Sequence, residues 1–234
     1  MKASRILILT VLLIGIIGMG AAEINPNNDA SVYYDFDDIE GTNDGDLVFD
    51  QSPNSYDGVV QNGAESIDGV FEETQAFRFD RNNEEGVLRG EEHESGSPFY
   101  DSGYTVSAWS RTLTDDLSEG QATVVRLNNE FILRIDDDPL VLQYFHRDDD
   151  SWEVVHEESV STGNWYHTAL AFDESSGEAV AYFDGVEVAS VSGLSIGEGD
   201  STAGLAVGYG SSAAGNFQDW LDGDVSEPMV FDYK

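Results

Sequence analysis

The chain of 234 residues contains no cysteine, so no disulfide can staple it and its stability has to come from burial. Lysine is almost missing as well: Lys2 and Lys234 are the only two. Lys and Arg together number 10 against 46 Asp and Glu, a net charge of −36. Such a surface argues against nucleic acid as a partner, because phosphates need a basic stripe and would here meet repulsion. No Asn-x-Ser/Thr sequon occurs, which removes Asn-linked glycan as a solubilising device. The four histidines, His93, His146, His156 and His167, show no His-x-x-x-His spacing, so without cysteine a zinc site is not expected. A phosphate-binding loop is also missing.

What is present is enough for a core. Hydrophobic residues make up 40% of the chain, with 12 Phe, 10 Tyr and 4 Trp, unlike the aromatic-poor composition of chains that stay disordered. The length suits one domain, since sandwiches and barrels run to about 200–250 residues. Lys2 and Arg5 precede an apolar stretch from Ile6 to Met19, and Gly20, Ala21 and Ala22 supply the small residues of a signal-peptidase site. Residues 1–22 are therefore expected to be a signal peptide cleaved after Ala22, with an uncleaved membrane anchor as the alternative. Both readings put the remainder outside the cell, secreted or at the surface. Residues 23–31, with Pro26 and three asparagines, read as a short linker, and residues 32–234 as the domain.

Removing residues 1–22 takes Lys2 and Arg5 with it and leaves 8 basic against 46 acidic residues, a net charge of −38. At molar salt the Debye length is about 3 Å, so carboxylates hardly repel one another while they hold water and hydrated cations. The chain resembles the acidic secreted proteins of extreme halophiles, the haloarchaeal type. An acidic face for a basic partner is the competing reading, but the acids are spread along the whole sequence.

Segments rich in Val, Tyr, Phe and Trp recur at short intervals between Gly, Asp, Asn and Ser clusters, and no long helix is apparent. Ala179–Phe183, Asp184-Gly185 and Val186–Val191 predict a tight hairpin with a type I′ turn. Val124 to Leu127, Phe131 to Ile135, Leu140 to His146 and Trp152 to Val155 predict a meander, its first turn at Asn128-Asn129. Tyr104–Ser110 and Trp165–Phe172 are apolar on both sides and belong in the middle of a sheet. Gly223–Phe231 is the closing strand, and Pro228 calls for an edge position or a bulge.

The order of these motifs resembles the laminin-G-like or concanavalin A-like jelly-roll superfamily. Tyr34-Asp35-Phe36-Asp37 and Asp50-Gln51-Ser52-Pro53-Asn54 are similar to its opening strand and turn. Phe77-Arg78-Phe79-Asp80 follows, with Arg81 where a glycine is usual. Tyr104-Thr105-Val106-Ser107-Ala108-Trp109 resembles its aromatic-Thr-Val-Ser-Ala-Trp strand. Gly163-Asn164-Trp165-Tyr166-His167-Thr168-Ala169 resembles its Gly-x-Trp-x-His-x-Ala strand, and Tyr182-Phe183-Asp184-Gly185 its hairpin. The resemblance implies an all-β fold, a two-sheet antiparallel β-sandwich, and adhesive or carbohydrate-binding modules among the relatives.

A non-catalytic binding module for a glycan or a surface protein is therefore expected. Tyr144, His146, Trp152 and Trp220 are the candidate aromatic platform, because Tyr144 and His146 share one face by the two-residue period. Core packing is the plainer account of each. A glycan-cleaving enzyme is one alternative; it needs paired carboxylates about 5–5.5 Å apart. Asp136-Asp137-Asp138 falls in a turn, and Glu157 and Glu158 point to opposite faces. A structural component of a cell envelope or virus particle is the other alternative. The resemblance also implies a possible structural Ca2+ between opening and closing strands, with Asp37, Asp50 and Glu227 as ligands, though Ser226 stands where relatives have Asp. His167 takes the place of the family's buried core histidine.

Overall fold

The computed structural model describes residues 25–89, 102–117, 120–127, 130–149, 151–196, 204–211 and 217–232. The leader at 1–22, the Asn128-Asn129 turn and His93 lie outside the described residues. The protein is a sandwich of two antiparallel sheets. Strands are numbered in chain order. The first sheet runs β14 (Val186–Ser192), β13 (Glu178–Phe183), β12 (Tyr166–Asp173), β7 (Gly103–Thr112), β18 (Gly223–Asp232), β5 (Gln75–Phe79) and β4 (Glu65–Asp68). β1 (Val32–Tyr33) pairs with the far half of β18. The second sheet runs β11 (Ser151–Ser159), β10 (Leu140–Asp148), β9 (Phe131–Asp137), β8 (Gln121–Leu127), β15 (Leu205–Val207), β6 (Gly86–Leu88), β3 (Gly58–Gln61) and β2 (Leu47–Val48). A small pair, β16 (Gly210–Ser211) and β17 (Phe217–Gln218), stands apart from both.

Alternation of side chains decides what each sheet buries. Val106, Ala108, Leu170, Phe172, Phe77 and Phe79 from the first sheet meet Val124, Leu127, Phe131, Leu133, Leu142 and Tyr144 from the second in one core. Each such side chain contributes about 1.5–3 kcal/mol by leaving water, which replaces the crosslinks that the chain lacks. The predicted hairpin is present: Phe183 pairs with Val186, and Asp184 and Gly185 take φ of 47° and 78°, the left-handed pair a type I′ turn needs. The meander is β8 to β11, and β7 and β12 sit inside the first sheet.

Two expectations are refined. The segment before the first strand is not wholly irregular: Pro26–Asp29 forms one helical turn, capped by Asn25, whose side chain accepts from the Asn27 N–H. The closing strand lies between β7 and β5, not at an edge, and Pro228 is absorbed by a bulge between Ser226 and Met229 in which Glu227 takes φ 53°. No helix among the described residues is long and apolar enough to cross a membrane.

Candidate functional site

The outward side of the second sheet carries a continuous polar ladder. Glu157 Oε1 on β11 accepts from Gln143 Nε2 on β10 at 2.6 Å, and Gln143 Oε1 accepts from Arg134 Nε on β9 at 2.6 Å. Arg134 Nη1 then donates to Gln121 Oε1 on β8, and Gln121 Nε2 donates to Asp219 Oδ1 at 3.0 Å. The register produces this line, since Gln143 stands opposite both Arg134 and Glu157. Rings lie beside it. The Arg134 guanidinium sits 4.3 Å over Phe145, and the half-buried Trp152 indole has Arg147 at 5.4 Å and Arg126 at 5.8 Å, all within cation–π range. Burial lowers the pKa of Arg126 and of Arg134. Farther along, Tyr209 stacks on Trp220 at 4.7 Å; the bare backbone of Gly86 makes room, because a Cβ there would come within 2.2 Å of the Tyr209 ring.

The outward side of the first sheet is built differently. Asp224 is fully buried and accepts from Arg78 Nε at 2.8 Å, from Arg78 Nη2 at 3.2 Å and from Arg111 Nε at 2.7 Å. Trp109 packs edge-on against His167 at 5.1 Å, and Thr105, Ser107, Ala169 and Ala171 form a floor of small residues. His167 is buried as expected, but its Nδ1 has no hydrogen-bond partner, and burial pushes its pKa down to about 4. At the end of the sandwich, the buried Glu130 has neither carboxylate oxygen hydrogen-bonded. Burial, with Asp232 adding repulsion, pushes its pKa up to about 8.

With both faces defined, the chain can be compared with known proteins. A family model described as the concanavalin A-like lectin/glucanases superfamily matches residues 90–234. The chain belongs to that superfamily. Solved structures with the superfamily's sandwich are similar at low identity, which bears on the fold. Domain 4 of an extracellular arabinanase from Geobacillus stearothermophilus, in complex with arabinotriose, is 18% identical with a TM-score of 0.59; 87% of this chain covers 92% of that one. The binding domain of botulinum neurotoxin serotype D is 12% identical with a TM-score of 0.60, over 89% of this chain and 48% of that one. A Trypanosoma rangeli sialidase is 15% identical with a TM-score of 0.59, over 88% of this chain and 31% of that one. The chain thus spans about half of the toxin domain and a third of the sialidase. Among curated proteins, none is significantly similar in sequence.

Within this superfamily sandwich, two of the four residues expected to form a platform point the wrong way. Tyr144 and His146 do share a face, but it is the inner one, and both are 0% exposed. Their polar ends find partners across the core: the Tyr144 hydroxyl donates to the Tyr182 carbonyl at 3.0 Å, and His146 meets the Tyr104 hydroxyl and the Ser195 carbonyl, each at 2.8 Å. Trp152 and Trp220 are half-buried, and Trp152 is the one joined to the ladder. The intervening residues Gln143, Phe145 and Arg147 are those that face outward. Reasoning from residue type favoured rings and passed over the arginines, yet three of the seven beyond the leader fall at 126, 134 and 147.

The carboxylates suggested as calcium ligands serve other ends. Asp50 accepts four hydrogen bonds, from Tyr33 N, Ser52 N, Ser52 Oγ and Tyr56 N at 2.6–2.9 Å, which occupies both its oxygens. Glu227 accepts from the Tyr33 hydroxyl, and Asp37 from Gln75 N at 2.9 Å. These hydrogen bonds grip the opening strand. Among the described residues no group of three or more His, Cys, Asp or Glu is placed to hold a metal. Of the carboxylates weighed for catalysis, Asp137 accepts from Leu117 N at 2.8 Å, Glu157 belongs to the outward ladder, and Glu158 lies with His156 at 3.2 Å.

Proposed function

We propose that the chain is a non-catalytic binding module, exported into a salty medium, whose outward ladder on the second sheet receives a glycan. The observation that carries this reading is the line from Glu157 through Gln143, Arg134 and Gln121 to Asp219, flanked by Trp152 and Phe145. Amides and guanidinium locked in place before a ligand arrives lose little entropy on binding. An indole beside them offers an apolar surface to the C–H face of a sugar ring. The arabinanase domain whose structure holds arabinotriose supports the reading by its likeness over nearly its whole length. A protein partner is the second reading; Val154 and Val186, 46% and 64% exposed on the edge strands β11 and β14, favour it.

Immobilised polysaccharide in molar KCl should retain the protein, and Trp152→Ala should lower affinity about 10-fold with the unfolding curve little changed. Equal retention by the variant would remove this site. Release of reducing ends from the same polysaccharides should stay at background, and steady release would put a glycan-cleaving enzyme in place of the module. The acidic surface adds its own expectation: the unfolding temperature should climb as KCl rises past the roughly 0.15 M range where ordinary screening acts. A flat response would take the halophilic part of the proposal away.

A further inference from the structure

We infer that the ligand of this face carries an anionic oxygen pair, a sugar carboxylate or sulfate ester, held by Arg147 against Trp152. The inference rests on the glycan-binding reading and sharpens it. Among the described residues Arg147 has no carboxylate within 4.0 Å and no side-chain hydrogen bond, and its guanidinium lies over the Trp152 ring at 5.4 Å. Other arginines of the sandwich are held. Arg78 and Arg111 share Asp224, and Arg134 is held by Gln143, Gln121 and, at 3.8 Å, Asp136. Arg81 and Arg89 also have no carboxylate within 4.0 Å among the described residues, but Arg81 donates to the Asp116 carbonyl and Arg89 lies over the Tyr56 ring at 3.6 Å, so an outward-facing guanidinium with neither acid nor hydrogen bond needs a reason.

Ligand chemistry supplies that reason. The amides of Gln121 and Gln143 are turned to one another's neighbours along the ladder, whereas the N–H groups of Arg147 are left for a ligand. A guanidinium presents its donors as a rigid fork, which matches two oxygens of one anionic group. Stacking on Trp152 fixes the plane of that fork. Arg126, 5.8 Å from the same indole, adds a second positive charge, and Arg134 raises the electrostatic cost of that charge, which a bound anion relieves. The nearest acids to this pair of arginines are Asp219, Asp136 and Glu157, all toward the ladder and away from Arg147. Nearer Arg147, Asp148 is taken by the Ser195 N–H and hydroxyl at 2.9 and 2.7 Å.

The chain's own charge gives this site an unusual signature. At low salt a net charge of −36 repels an anionic saccharide from a distance, whereas the contact between Arg147 and its ligand acts at hydrogen-bond range. Affinity should therefore rise with salt, opposite to the behaviour of a basic surface.

The test titrates the full protein with oligogalacturonate, with its methyl ester and with a sulfated galactan oligosaccharide, at about 0.2 M and about 2 M KCl. Wild type is expected to prefer at least one anionic probe over the neutral ester about 10-fold at the higher salt, and to bind it more weakly at the lower. The preferred anionic probe assigns carboxylate or sulfate. Arg147→Ala should bind acid and ester alike, Arg147→Lys should keep part of the preference, and both should show unchanged circular dichroism. Binding of neither anionic probe tighter than the ester by wild type, or a preference that survives in Arg147→Ala, overturns the inference while leaving a neutral-glycan site standing. Failure of every probe, neutral ones included, overturns the binding reading too.

Discussion

The two outward faces of the sandwich use arginine in opposite ways. On the first sheet Arg78 and Arg111 converge on the buried Asp224, whose oxygens take at least three of their N–H groups. On the second, Arg126, Arg134 and Arg147 lie against the rings of Trp152 and Phe145, and Arg134 donates to the amides of Gln143 and Gln121. A guanidinium neutralised by a buried carboxylate ties strands together and offers nothing to a ligand. One held by a ring keeps its charge and, at Arg147, its donors. In a chain this poor in cations, the manner of pairing separates scaffold from site better than the mere presence of an arginine.

The comparison breaks if the first face proves dispensable. Asp224→Ala leaves Arg78 and Arg111 side by side with no carboxylate between them, and breaking one partner from such a buried group costs about 3–5 kcal/mol. The denaturant midpoint should fall accordingly, while glycan retention per folded molecule stays the same. A cost of about 0.5 kcal/mol, the level of an ordinary surface change, would show that the cluster does not hold the sheet.

Between the faces, Glu130 tests whether the core tolerates charge. Its carboxyl titrates at about 8 when folded against 4.5 ordinarily, so over that window the folded chain holds a proton that the unfolded chain has lost. Stability should then fall as pH rises, by about 1.4 kcal/mol per pH unit. Glu130→Gln should flatten that decline, visible as unfolding curves of the two proteins that diverge toward alkaline pH. His167, pushed down to about 4, acts in the other direction and weakens the fold as pH drops below 6.5. Parallel pH profiles for wild type and Glu130→Gln would mean that Glu130 finds water or a counter-ion.

The smallest expected effect on folding belongs to the second face. Trp152 is half-buried outside the core, so Trp152→Ala should cost about 1 kcal/mol or less of stability while binding drops. A loss of several kcal/mol would instead make the indole part of the scaffold and erase the contrast.

The architecture was readable in the residues because alternation, an Asp-Gly turn and paired aromatic strands are local signals. The site was only half readable. A two-residue period places Tyr144 with His146 and Gln143 with Phe145 and Arg147, but it does not say which set faces in. That choice is made by partners far along the chain, such as the Tyr182 carbonyl and the Tyr104 hydroxyl, which receive the polar ends of Tyr144 and His146 inside the core. The ladder escaped for a similar reason, since its members come from four strands and a loop and meet only through register.

The bulge at Glu227 has a further consequence for the closing strand. Val225 and Val230 are both core residues although five positions separate them, an odd interval that regular pleating would send to opposite sides. The extra residue resets the parity of the strand: before it Asp224 and Ser226 look out, and after it Met229 and Phe231 do. A single-codon deletion at Glu227 would shorten the strand by one step and restore regular pleating with Val225 and Val230 still on one side, whereas a strand straightened with Glu227 retained would turn its last third inside out, exchanging Val230 for Met229 in the interior. Frame within this strand is thus kept by its least regular residue.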